Sequence, residues 1–121
     1  MYSIEGSVLD EIRQRLIFSE TGGILGIDGN RVVTKFYYDS TGQTTDTNYI
    51  PDIQRLNEVI QRWATDGIKF VGFVHSHPAS NSNLSATDIA YAEKIKVACG
   101  MADVLMLLYV PADDKFFQYI V

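Results

Sequence analysis

The chain has a single cysteine, Cys99, and two histidines among 121 residues, and these shortages set the first limits. One cysteine excludes an internal disulfide and suits a reducing compartment. Its place near a helix end, on an apolar face, reads as a small core residue rather than a nucleophile. There is no excess of positive charge: 10 Lys and Arg stand against 15 Asp and Glu, for a net charge of −5. The basic residues are scattered, so no stripe neutralises a phosphate backbone, and nucleic acid is not an expected partner. The longest apolar run, Val104 to Val110, is far short of the roughly 20 residues that cross a bilayer. The N-terminal Met1-Tyr2-Ser3-Ile4-Glu5 has no basic segment leading into an apolar one, so it does not read as a secretory signal, and a cytoplasmic protein without a membrane segment is expected.

What is present is a core of ordinary size. Hydrophobic residues make up 46% of the chain, enough for one domain over 1–121 and too little length for two. Ile4, Val8, Ile12 and Leu16, widened by Leu9 and Ile17, predict a helix over about 3–18. After Glu20-Thr21-Gly22-Gly23, the segment Ile24–Ile27 reads as a buried strand whose glycines permit close backbone approach. Asp28-Gly29-Asn30 turns it into Arg31–Tyr38, a hairpin partner. The polar stretch 39–48 carries almost nothing to bury and reads as a mobile surface loop, a candidate substrate flap. Pro51 and Asp52 suit the first turn of a second helix with Ile53, Leu56, Val59, Ile60 and Trp63 on one face, ending near Asp66-Gly67. Ile68–Val74 is an interior strand running into His75. Ser85–Cys99 is a third helix, with Ile89, Ala92, Ile95 and Cys99 on one face and Gly100 at its C-terminal stop. Val104–Val110 and Phe116–Val121 are two last strands. The order predicts an α/β domain with a mixed central sheet flanked by about three helices, in three layers or as a split two-layer form.

Both histidines lie in His75-Ser76-His77. Residues i and i+2 of an extended segment share a face, so both imidazoles can reach one metal. The spacing also suits two ordinary partly buried histidines, although Pro78 fixes the backbone beside them. Ser85-Ala86-Thr87-Asp88 matches a capping box, which by itself accounts for both the serine and the aspartate. The two uses are compatible, because an aspartate held in a first helical turn can face a metal. Two nitrogens and one oxygen leave a place for water, which favours catalysis over a structural site with four protein ligands. Hydrolysis at such a metal also needs a base, and Glu5, Glu11, Glu20, Glu58 and Glu93 are available. Periodicity puts Glu11, Glu58 and Glu93 on polar helix faces. Glu20 stands apart, where helix gives way to a Gly-Gly strand.

Taken together, Glu20-Thr21-Gly22-Gly23-Ile24-Leu25-Gly26 followed by His75-Ser76-His77, seven residues, and Ser85-Ala86-Thr87-Asp88 resembles the JAMM signature of the MPN/JAB metalloprotease family, Glu…His-x-His-x7-Ser-x-x-Asp. The order of elements over nearly the whole chain resembles that family's domain as well. The resemblance implies a single JAB/MPN domain of the cytidine-deaminase-like α/β class, of a minimal prokaryotic type without room for the large insertions of eukaryotic deubiquitinases. It implies one Zn2+ per chain held by His75, His77 and Asp88, with Glu20 as general base and Ser85 as hydrogen-bond donor to the oxyanion. It further implies a peptidase or isopeptidase acting on a small ubiquitin-like or sulfur-carrier protein, whose tail could lie beside a sheet edge near the loops 39–48 or 79–84. Non-catalytic scaffold modules of the same family are the alternative; they usually lack the ligands. An iron facial triad would use the same donors, but commonly on an all-β barrel.

Overall fold

The computed structural model describes residues 2–18, 20–44, 49–78 and 82–121. Within them one six-stranded sheet runs through the molecule, formed by β1 (Ser3–Ile4), β2 (Gly22–Ile27), β3 (Val32–Tyr38), β6 (Lys69–Ser76), β7 (Leu105–Val110) and β8 (Lys115–Ile120). Their order across the sheet is β1-β3-β2-β6-β7-β8, and a separate two-stranded ribbon joins β4 (Gln43–Thr44) to β5 (Tyr49–Ile50). The sheet is mixed: β1 is parallel to β3 and β6 to β7, while the other pairings are antiparallel. The α/β architecture expected from the order of apolar segments is therefore present, with three helices, α1 (Gly6–Arg15), α2 (Ile53–Thr65) and α3 (Ala86–Cys99).

Alternation along the central strands decides which helix covers which face. Leu25, Val71, Val74, Leu105 and Leu107 point to one side and meet Val8, Ile12 and Leu16, all three almost fully buried. Each such aliphatic side chain contributes about 2 kcal/mol by leaving water, so this contact holds α1 in place. Ile24, Phe70, Phe73 and Met106 point to the other side and meet Leu56 and Val59 of α2 and Ala92 of α3. The result is three layers, with His75 on the α2 and α3 side, two residues beyond Phe73.

Several boundaries differ from the expectation. The first helix begins at Gly6, because Ser3 and Glu5 use their backbone N–H groups on the carbonyls of Arg31 and Val33 and so build an edge strand. The helical stripe ends at Leu16; Ile17 is 60% exposed rather than part of the core. On α3 only Ala92 of the expected face is fully buried, Ile89 is exposed, and Cys99 is exposed rather than a small core residue. Asp52 is the N-cap of α2, accepting from the Arg55 N–H, rather than a first-turn residue. Gly100 adopts the left-handed conformation expected of a helix stop. No helix among the described residues is long and apolar enough to cross a membrane.

The stretch read as a surface loop with nothing to bury starts with a buried carboxylate. Asp39 accepts from the Tyr49 hydroxyl at 2.6 Å and from the Asp52 N–H at 2.9 Å, so it ties β5 and the start of α2 to the end of β3. Thr44 donates its hydroxyl to the carbonyl of Glu20, fixing the ribbon's other strand. Residues 45–48 of the expected flap, and residues 79–81 of the second loop, lie outside the described residues.

Candidate metal centre

The centre of the site is the end of β6. His75 is the last but one residue of the strand, and the His77 N–H donates to the Tyr109 carbonyl at 2.9 Å, which continues the pairing with β7 past the strand's end. Extended backbone therefore persists through both histidines, and their rings emerge on the same face, as the i, i+2 spacing requires. The two Nε2 atoms lie 2.9 Å apart, and Asp88 Oδ2 lies 3.3 Å from that of His75 and 3.5 Å from that of His77. Both imidazoles are buried, and the Asp88 side chain is 20% exposed. These three residues are a group that could hold a metal ion.

The triangle can be tested against the ion it would hold. Bonds of zinc to nitrogen and oxygen in tetrahedral sites imply distances between ligand atoms of about 3.3–3.5 Å. Edges of 2.9, 3.3 and 3.5 Å are within a few tenths of an ångström of that on every side. The donor set, two imidazoles and a carboxylate, has the chemistry of an open zinc site as well.

The capping box is also formed. Ser85 Oγ accepts from the Asp88 N–H at 3.0 Å, and Asp88 Oδ2 accepts from the Ser85 N–H at 2.8 Å. The carboxylate oxygen that faces the histidines is thus the one the helix start holds in place, so cap and ligand are two uses of one atom. Burial works to raise the Asp88 carboxyl, but the two imidazoles and the Ser85 N–H outweigh it and hold the group well below the usual carboxylate range. Ser85 keeps its own hydroxyl proton, since its oxygen is only an acceptor in the cap.

Glu20 reaches the site through the sheet. Gly22 stands opposite His75 in the antiparallel pairing of β2 with β6, and the Glu20 N–H donates to the Ser76 carbonyl at 2.8 Å. Glu20 is buried and takes a φ of 62°, a left-handed conformation that side chains other than glycine adopt at a cost of order 1 kcal/mol or more. Its carboxyl is raised by burial, against the opposing pull of His77 and then His75, with the charge on Asp88 adding to the rise. All three donors therefore act electrostatically on Glu20. Glu11, Glu58 and Glu93 are exposed on their helices, away from this role.

Sequence reasoning missed Ser76. Its side chain points to the opposite face from the histidines and is fully buried. Its hydroxyl donates to the Phe18 carbonyl at 2.6 Å and accepts from the Thr21 N–H at 3.1 Å, which bolts both sides of the Glu20 turn to the strand that carries the histidines. A polar residue at the inward position of an otherwise apolar strand was the available signal. Ser76→Ala should cost about 2 kcal/mol of stability, since two backbone groups lose a buried partner. It should also lower any turnover that depends on Glu20 by roughly a hundredfold. Urea denaturation and kinetics on the same protein check both.

Residues 10–119 match the family model described as prokaryotic homologs of the JAB domain. The chain belongs to that family. Among solved structures, a protein of Desulfitobacterium hafniense superposes with a TM-score of 0.68 at 20% identity, covering 99% of this chain and 82% of that one. A protein of Salinibacter ruber gives 0.57 at 19% identity, covering 98% and 79%. At those identities the likeness is one of fold. No curated protein matches. Membership of the JAB family is consistent with a metallopeptidase or an MPN-type domain, and His75, His77 and Asp88 give this member a possible metal site.

Proposed function

We propose that this protein is a zinc-dependent hydrolase that cuts a peptide or isopeptide bond at the C-terminal tail of a small ubiquitin-like or sulfur-carrier protein. The observation that carries the proposal is the triangle of His75 Nε2, His77 Nε2 and Asp88 Oδ2, sized for a tetrahedral ion and flanked by a buried glutamate and a serine with a spare hydroxyl proton. A zinc ion held there would acidify water and polarise the scissile carbonyl.

The chain's own residues supply the rest. Glu20 takes the proton that the attacking water gives up and returns it to the departing amine. Its fixed backbone, held by Ser76 on one side and Thr44 on the other, keeps that carboxylate from swinging away. Ser85 donates its hydroxyl to the oxygen that becomes negative as the carbonyl carbon turns tetrahedral, while its lone pairs remain in the helix cap. Burial of both imidazoles keeps competing water from their ring nitrogens.

Metal content tests the reading first. Protein purified without added metal should carry about one zinc per chain by mass spectrometry, and His77→Ala and Asp88→Ala should each carry almost none while still folded. No stoichiometric metal in folded protein, even after zinc is supplied, would overturn the hydrolase and favour the scaffold role instead.

A further inference from the structure

Beside the donor triangle the protein holds a second feature, a cavity of about 70 Å³ with His75 and Asp88 in its wall. Apart from these two, its lining is Tyr49, Pro51, Phe73, Thr87, Tyr91 and Met106. Phe73 is two residues before His75 on the same face of β6, and Met106 stands opposite Phe73 in the pairing with β7. Tyr91 packs edge-on against Phe73, ring centres 5.4 Å apart, and lies one helical turn beyond Asp88 on α3. The cavity thus continues directly from the donors along both the strand and the helix.

Its walls are set before anything enters. The Tyr49 hydroxyl is held by Asp39, and its ring lies so close to Gly22 that a Cβ there would come within 2.6 Å of it. Met106 and Phe73 are buried in the core. Thr87, by contrast, is exposed and stands at the rim. A rigid, mostly apolar hollow next to a candidate metal centre is a place that suits a side chain.

Size sets the class of side chain. An apolar cavity of about 150 Å³ takes up benzene, so half that volume holds about three carbon atoms. We propose that this cavity receives the side chain of the residue next to the bond being cut, and that it selects a small apolar one, alanine to valine, against an aromatic one. The proposal rests on the hydrolase reading for the word "cut", and on the cavity alone for the selection.

The test uses zinc-loaded Glu20→Gln protein and blocked tripeptides Gly-Xaa-Gly with Xaa as Gly, Ala, Val, Leu or Phe. Binding is followed by titration and by the NMR signal of the Met106 methyl group. Affinity should rise from Gly to Val and fall by about tenfold or more at Phe, with the Met106 signal moving for the peptides that enter. Met106→Ala should shift the optimum to Leu. Should that variant fail to fold, Thr87→Trp, on the exposed first turn of α3, decides: it should bring the Val peptide down to the level of the Gly peptide.

Equal affinity across the series, or a Val preference that survives Thr87→Trp, would overturn the proposal. Wild-type protein separates this from the hydrolase reading. Size-selective binding by folded protein that takes up no zinc even when it is supplied would sink the hydrolase and leave the pocket, whereas zinc-loaded protein that binds every peptide alike would sink the pocket and leave the hydrolase.

Discussion

Glu20→Gln should keep about one zinc per chain and lose about 10²–10⁴-fold in the rate of bond cleavage. The substitution preserves size and hydrogen-bonding reach, and it leaves the three donor atoms untouched, since Glu20 is not one of them. What it removes is the capacity to accept a proton and hand it on. Residue 20 donates its N–H to the Ser76 carbonyl and accepts from the Thr44 hydroxyl at its own carbonyl, neither through its side chain, so the left-handed turn should persist. Metal analysis alongside turnover reads both halves. Zinc retained with the rate unchanged would mean that another group carries the proton.

Gly72→Ala should be the most damaging single-methyl change in the sheet, at about 3 kcal/mol, roughly 10–20 °C in melting temperature for a domain of this size. A Cβ on Gly72 would fall 1.8 Å from the Leu105 carbonyl oxygen and 2.6 Å from its carbon, and neither is a flexible side-chain end. Relief requires β6 and β7 to part, and that pairing also sets His75 opposite Leu108. Gly6→Ala is the control, because a Cβ there meets nothing within 4 Å, and it should be neutral or slightly stabilising. Thermal melts of the two variants beside the parent protein check the contrast. A Gly72→Ala protein that melts with the parent would mean that the strands can shift at little cost.

Which features were legible in the sequence follows from how local they are. Both histidines and Asp88 sit within fourteen residues, 75–88, and their spacing, strand end and helix cap are short-range facts, so the donor group could be drawn from the chain alone. The periods of α2 and of the interior strands were legible for the same reason. Glu20 was different: only the register that puts Gly22 against His75 brings it to the site, and no local pattern encodes that register. The resemblance supplied what spacing could not. Ser76 escaped notice because its importance lies in Phe18 and Thr21, more than fifty positions away. The differences at Ile17, Ile89 and Cys99 are of one kind, each an apolar or small residue expected in the core and found exposed. An apolar stripe says that a helix can be covered, and only the tertiary structure says which of its residues are.

The pairing of β2 with β6 also bears on when this protein can act. Glu20 and the histidines are made far apart in time during synthesis, and the hydrogen bonds of Ser76 that tie Phe18 and Thr21, on either side of Glu20, to the histidine strand span 58 and 55 residues. Contacts of that range form late, once the entropy of closing a long loop has been met by the packing of the sheet. A nascent or partly unfolded chain therefore holds Glu20 and the histidine strand as separate pieces. Completion of the sheet is the event that assembles the site, so the site exists only in the folded protein.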